Sequence, residues 1–499
     1  MDKDMAQRSR DGSRFGRSSK PLAPELLELN VLKNTTLLEE RFEHEVQIHR
    51  AHTAMLERQG IITKSEAAAV LSGVEIVHQR ATTDPGLKAY IVFENAVIHE
   101  VGEPAGKMHI GRSRNDLGST AIRMYYRDRI NELIDALCDF RKVLVAVAAE
   151  HTETITMVYT HSRQAQPNTL AHYLMAHTES LGKHVQRYED LYKRVNQSPL
   201  GSAASAGTGW NIDRQFAAEL LGFDGVVVNT IEGVAGRDHI AEFAAVNTIL
   251  LSGLSRLAVE MTEWQTDEFS FIDLDSGYTG NSSIMPQKKN PVVLEAVRTM
   301  AAAALATQVG VISSLNATPY QFSSISLGLA ADSIDGILAT IRAFAGAIST
   351  LKANTQRMFE NVLGSFAMMT ELADTIVRET GISFRKAHDI VAHIVVESID
   401  TDRAANAIDA GLIARVSKAL LGEELRIDEK KITGALDPRA NVERLRVVGG
   451  PAPSAVRAHI QQVEEEIEAT ARRLESRRGS LIEARMALHK NVALILAAP

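Results

Sequence analysis

One cysteine, Cys138, stands in 499 residues. A lone thiol excludes an internal disulfide and a thiolate metal cluster, and it points to a reducing compartment, the cytoplasm. Basic blocks are absent beyond the first twenty residues and the formal charge is −8, so a nucleic-acid partner is not expected. No uncharged apolar run reaches the roughly 18–20 residues that span a bilayer, so no membrane partner is expected. The opening segment, MDKDMAQRSRDGSRFGRSSK, lacks the apolar core of a signal peptide. It reads as a disordered basic arm, with RNA contact or targeting as the alternative. There is no His-Glu-x-x-His, and His172 and His177 are five apart and would not share a helix face, so neither a metal nor a cofactor is expected. No repeat, low-complexity segment or run of alternating strands stands out, although a small hairpin fits near residues 222–234.

Helical periodicity is what remains. Ile122, Tyr126, Ile130, Leu133, Leu137, Phe140, Leu144 and Val147 follow at steps of three and four, one apolar stripe along a long helix. Ile334, Leu338, Ile341, Phe344, Ile348 and Leu351 form a second stripe. Residues 169–194, 241–264 and the charged stretch 454–489 share the pattern. Alanines between 296 and 306 allow close helix approach. Helices longer than the usual ~11–12 residues predict an extended all-α bundle that self-associates; an ordinary monomeric bundle is the alternative. Length alone suggests about three domains.

Three stretches interrupt the helices: residues 102–116, 158–167 and 276–291. The last reads SGYTGNSSIMPQKKNP. Gly277 and Gly280 predict a flexible or left-handed backbone. Ser282 and Ser283 stand six residues before Lys288, and Asn290-Pro291 reads as a helix start with Asn290 as the cap. Hydroxyls and ammonium groups beside a helix N-terminus favour an anion, and such a loop is able to close on a carboxylate substrate. The plainer reading is a polar surface loop before a capped helix.

The block GNSSIMPQKKNP resembles the signature of the fumarase/aspartase superfamily, with Asn281 where a glycine is usual. The lysine pair after Gln287 resembles the argininosuccinate lyase branch. GKMHIGRSRND (residues 106–116) and YTHSRQAQP (159–167) resemble two further blocks of that branch, and PLGSAASAGTGWNIDR, ELLGFD and LADTIVRETGISFRKAHDIV are weaker matches. The resemblance, over roughly residues 32–463, implies a carbon–nitrogen lyase that releases fumarate. It also implies three helical domains and a homotetramer whose active sites draw on three subunits. The boundaries expected are an arm over 1–20, then domains over 21–116, 117–365 and 366–499. Carried over residue by residue, Ser282 is the catalytic base. Lys288 and Asn290 stabilise the charge that spreads into a carboxylate. Ser113, Arg114, Asn115, Thr160 and Ser283 contact the succinyl carboxylates, Met285 lines the loop, and His161 pairs with Glu295 near the reacting centre.

The amine side departs from that branch. Tyr320 aligns with a family tyrosine, but the polar residues expected after it are replaced, with Ile325 and Gly328 where a glutamine and a lysine are usual. Val292 stands for an acid, Ile110 for a threonine and Leu117 for a glutamine. A site without partners for a charged arginine tail holds it poorly. The expectation is therefore an N-substituted aspartate other than argininosuccinate, of the kind that ethylenediamine-disuccinate lyase cleaves. A divergent argininosuccinate lyase, with Gln321 or Arg237 rebuilding the arginine site, and a non-catalytic crystallin-like protein are the alternatives.

Overall fold

The computed structural model describes residues 24–316, 318–321, 331 and 333–497; the basic arm over 1–20 lies outside them. Three helices open the chain: α1 (Pro24–Arg58), α2 (Lys64–Ala81) and α3 (Tyr90–Val101). The bundle follows with α4 (Arg114–Glu150), α5 (Leu170–Val195), the short α6 (Arg214–Leu220) and α7 (Thr230–Ala235), then α8 (Asp238–Trp264), α9 (Val292–Asn316) and α10 (Ile334–Ser349). Six shorter helices come next: α11 (Thr355–Leu363), α12 (Met369–Thr380), α13 (Phe384–Asp400), α14 (Ala410–Leu421), α15 (Glu429–Leu436) and α16 (Pro438–Arg444). The 44-residue α17 (Pro453–Leu496) ends the chain. The architecture is all-α, as its periodicity predicts.

The α4 stripe is buried from Ile122 to Leu144, with Val147 packed at its edge. It forms one core with α5, α8, α9 and α10, where Phe140 meets Phe344 edge to face at 5.6 Å. Gly182 on α5 has a packing role. A Cβ there would stand 2.9 Å from Arg141 Nη2. The bare backbone lets the buried Arg141 side chain cross α5, donate to the Thr178 carbonyl (3.2 Å) and pair with Glu466 of α17 (2.9 Å). A separate core fills α11–α16 and takes Ile155 and Met157 from the bundle's end. The far end of α17 returns to the N-terminal helices, with Leu488, Val492 and Ile495 packed among Ile48, Leu56 and Leu117.

Four local expectations are corrected. Residues 158–167 belong to an antiparallel hairpin, β1 (Ile155–Thr160) and β2 (Arg163–Thr169), rather than a loop. The expected hairpin near 222–234 is instead a two-residue parallel pairing of 225–226 with 197–198. Neither Gly277 nor Gly280 takes a positive φ; Gly280 serves close approach, because a Cβ would lie 2.8 Å from Val292 Cγ1. Asn290 does not cap α9: it pairs with Gly280 in a short ladder, and the Pro291 carbonyl accepts the first helical N–H groups, from Leu294 and Glu295. Although charged residues interrupt them, α8 and α9 are each long and apolar enough to cross a membrane by length and composition. α8 is mostly buried in the bundle, whereas α9 packs along it and leaves Leu305, Val309 and Ile312 exposed.

Candidate active site

The three sequence blocks lie at two ends of the bundle. Arg114 and Asn115 form the first turn of α4. Ser113 is the N-cap: its hydroxyl accepts from Asn115 N–H (3.3 Å), and the Asp116 carboxylate accepts from Ser113 N–H (2.8 Å), a capping box. The preceding loop is anchored to α1 and α3. The buried Arg112 guanidinium meets Glu94 (3.0 Å) and His49 (2.7 Å), and His52 Nε2 donates to the Ile110 carbonyl (2.8 Å). Burial pushes the Glu94 carboxyl up, but His109, Arg112 and His49 together hold it down to about 2. Burial and Arg112 depress His52 to about 3, so it stays a neutral donor. This anchoring escaped the motif reading, although Arg112 lies inside a matched block; its signal was a charged residue among positions that pack inward.

The same end carries Arg237, whose Nη2 donates to Ser119 Oγ (2.9 Å), one turn along α4 from Asn115. Tyr320 is there too, donating to Glu232 on α7, which pushes its phenol up to about 12. Gln321 is exposed beside it. Leu117 is corrected: it is wholly buried in the N-terminal core and lines no pocket, and Ile110 packs against that same core. Ile325 and Gly328 lie outside the described residues.

At α4's ~1.5 Å rise per residue, its 37 residues place the other two blocks roughly 55 Å away. The β1–β2 hairpin follows the C-terminal end of α4. His161 and Ser162 form its turn with φ of 52° and 60°, two consecutive left-handed residues as in a type I′ turn, and neither is the glycine or asparagine such turns favour. Thr160 and His161 are exposed at the tip. Tyr159 packs its ring 6.0 Å from Phe269, which brings the loop after α8 to this end as well.

That loop presents Ser282. The ladder between 280–281 and 289–290 closes residues 282–288 into a short loop. Ser282 Oγ accepts from the Met285 N–H (3.1 Å) and the Ile284 N–H (3.4 Å). Two amides aimed at one oxygen are the donors that an alkoxide needs. The lysines differ: Lys289 is neutralised by Asp273 (2.6 Å), whereas Lys288 has no ion pair among the described residues. Ser283, Met285, Lys288 and Glu295 are exposed and Asn290 is half-buried. Among the described residues no hydrogen bond joins His161 to Glu295, or either to Ser282. The chain thus holds the candidate residues in two groups: Thr160, His161, Ser282, Ser283, Met285, Lys288, Asn290 and Glu295 at one end, and Ser113, Arg114, Asn115 and Tyr320 at the other. A groove of ≈ 560 Å³ between α13 and α14 includes none of them. Among the described residues no group of His, Cys, Asp and Glu is arranged to hold a metal.

Residues 38–305 match the family model described as "Lyase", and residues 366–443 match that of the argininosuccinate lyase C-terminal region. The argininosuccinate lyase of Methanothermobacter thermautotrophicus is 37% identical over 435 residues, 86% of this chain and 93% of its own. That of Methanococcus aeolicus is 38% identical over 450 residues, 88% of this chain and 91% of its own. The crystal structure of EDDS lyase in complex with formate is 43% identical, with a TM-score of 0.88 over 97% of this chain and 98% of that one. A variant of EDDS lyase with bound fumarate aligns equally well. Class II fumarase from Schistosoma mansoni, at 16% identity, TM-score 0.66 and coverage of 80% of this chain and 90% of its own, shares the fold.

Proposed function

The chain belongs to the argininosuccinate lyase-like branch of the fumarase/aspartase superfamily and is a carbon–nitrogen lyase that releases fumarate; from that premise we propose that its substrate is an N-substituted aspartate other than argininosuccinate. The observation that carries this reading is the asymmetry of the site residues. Every position assigned to the succinyl side is retained, while the arginine side has Val292, Ile325 and Gly328 in place of an acid, an amide and a lysine. The higher identity to EDDS lyase, 43% against 37–38%, supports the same reading. The alternative, argininosuccinate itself, is favoured by the names of the sequence relatives, and Arg237 and Gln321 are the residues available to rebuild an arginine site.

In this reading Ser282, as an alkoxide under the Ile284 and Met285 amides, removes the proton from the carbon beside a carboxylate. Lys288 and Asn290 stabilise the charge that develops on that carboxylate, and collapse of the carbanion expels the amine. Arg114, Asn115, Thr160 and Ser283 hold the succinyl carboxylates, with Ser113 at the edge. His161 and Glu295, which no hydrogen bond joins within the described residues of one chain, pair between copies near the reacting centre. Two partial sites about 55 Å apart do not meet within one chain, so the working enzyme is a homotetramer in which one copy's α4 start faces other copies' hairpin and Ser282 loop. The exposed apolar face of α9 supplies the surface for that assembly. In the other direction the same groups add an amine to fumarate.

Fumarate absorbance with a panel of N-substituted aspartates tests the proposal. The expected result is a specificity constant for argininosuccinate well below that for another member of the panel. A value for argininosuccinate above about 10⁴ M⁻¹s⁻¹, the low end of ordinary enzymes, and higher than for every other compound, overturns it.

A further inference from the structure

Asp116 takes no part in the scheme above, yet its carboxylate is the most heavily hydrogen-bonded group at the α4 end. It is wholly buried. One oxygen accepts from Ser113 N–H (2.8 Å) and Leu117 N–H (3.0 Å); the other accepts from Gly201 N–H (2.9 Å) and Ala203 N–H (3.0 Å). Burial pushes its pKa up, and these amides oppose the rise. Four backbone donors, and no ion-paired cation among the described residues, make a carboxylate that specifies backbone geometry.

The partner it grips is a strained loop. Ala203 and Ser205 hold φ of 52° and 95°, and Gly201 and Gly207 hold +83° and +73°. Left-handed non-glycine residues persist only where their surroundings over-determine them. The surroundings here are close contacts. A Cβ on Gly201 would meet Arg214 and Ile212 at 2.7 Å, one on Gly233 would meet Ser202 Oγ at 2.4 Å, and one on Gly111 would meet Ile212 at 3.0 Å. Arg214 holds the loop from its other side, donating to the Leu200 carbonyl (2.8 Å), Ser202 Oγ (3.2 Å) and the Val227 carbonyl (2.9 Å).

We infer that Asp116 is a positioning residue for the lyase reaction: it locks the 201–207 loop to the first turn of α4, fixes where Arg114 and Asn115 point, and makes that loop a wall of the succinyl half of the site. This rests on Arg114 and Asn115 being carboxylate contacts. An error in their direction weakens substrate and transition state alike, so the effect falls on KM and on fumarate affinity more than on kcat.

The test is fumarate binding by calorimetry, with steady-state kinetics, on the full chain carrying Asp116→Asn. This change keeps the shape but turns an amide N–H₂ toward N–H donors. The expected result is a fumarate Kd and a KM raised tenfold or more with kcat reduced less, in protein with native helical content and native assembly. Ser383→Ala, which removes the helix cap at the start of α13 in the separate core of α11–α16, is the control: it lowers Tm and leaves the fumarate Kd of the folded protein unchanged. If Asp116→Asn does not fold, Arg214→Lys loosens the same loop from its other anchor and is expected to raise Kd likewise. Arg114→Ala separates the premises. A raised Kd there with a wild-type Kd in folded Asp116→Asn, or in Arg214→Lys where Asp116→Asn does not fold, overturns the inference alone; an unchanged Kd in Arg114→Ala overturns the carboxylate-contact reading beneath it.

Discussion

Ser282 and His239 are opposite cases of a polar side chain in this protein. Ser282 is half-buried in the loop before α9 and two amides point at its oxygen. Ser282→Ala removes the proposed base and little else, so turnover should fall by at least ~10³-fold while fumarate still binds; wild-type turnover would exclude Ser282. His239 on α8 is buried against the edge of Tyr126, and neither ring nitrogen has a hydrogen-bond partner among the described residues. Burial, then Arg123 and Arg237, hold its pKa well below the usual histidine value. An unsatisfied buried polar group costs roughly 1–3 kcal/mol, so His239→Phe should raise the melting temperature. A lower melting temperature would mean that the imidazole has a partner in the assembled enzyme.

At the scale of elements, the site depends on two small pieces of β structure that helical periodicity gave no hint of. The ladder between 280–281 and 289–290 closes the Ser282 loop, and Gly280 lies against Val292 where no Cβ fits. Gly280→Ala should therefore reduce turnover strongly with little change in melting temperature, because residues 283–288 of the loop are exposed; equal turnover would show that Val292 gives way. The long helices were legible because their stripes of three- and four-residue steps continue for many turns. The hairpin over 155–169 was not, since β2 reads RQAQPNT, which has no apolar alternation and contains a proline. Its pairing is enforced by the packing of Ile155 and Met157 into the core of α11–α16.

The whole molecule adds two expectations. His49, His52, His184 and His239 are all buried and depressed, His52 to about 3 and His184 to about 4. The unfolded chain binds protons near the ordinary value of about 6.5 and the folded chain does not, so this contribution to stability is complete above that pH and is lost as the pH falls toward 4. The melting temperature should decline over that window, and less steeply in His239→Phe; a flat profile would count against buried neutral histidines. The second concerns assembly. Arg114→Ala and Ser282→Ala proteins, each inactive, disable opposite ends of the chain. Unfolded together and refolded, random mixing leaves roughly a quarter of the sites with both residues intact. Activity well above either parent is expected, and none, in tetramers shown to be mixed, would refute sites shared between copies.

The sequence by itself determined the helix class and the family, and it supplied the candidate site residues, because periodicity and contiguous motifs are local properties. It did not determine which of those residues meet. Leu117, read from alignment as a pocket position, turns into the core because it follows the α4 cap on the face covered by α1 and α17. Lys288 and Lys289 are adjacent and carry the same charge, and it is the placement of Asp273 that neutralises Lys289 and not Lys288. Asp116 closes the capping box of α4 and acquires its second pair of donors from a loop 85 residues away. The separation of the partial sites is likewise a tertiary fact. A rigid 37-residue helix holds Asn115 at one end and sends the chain into the His161 hairpin at the other, so two residues 46 positions apart in sequence are held roughly 55 Å apart in the fold.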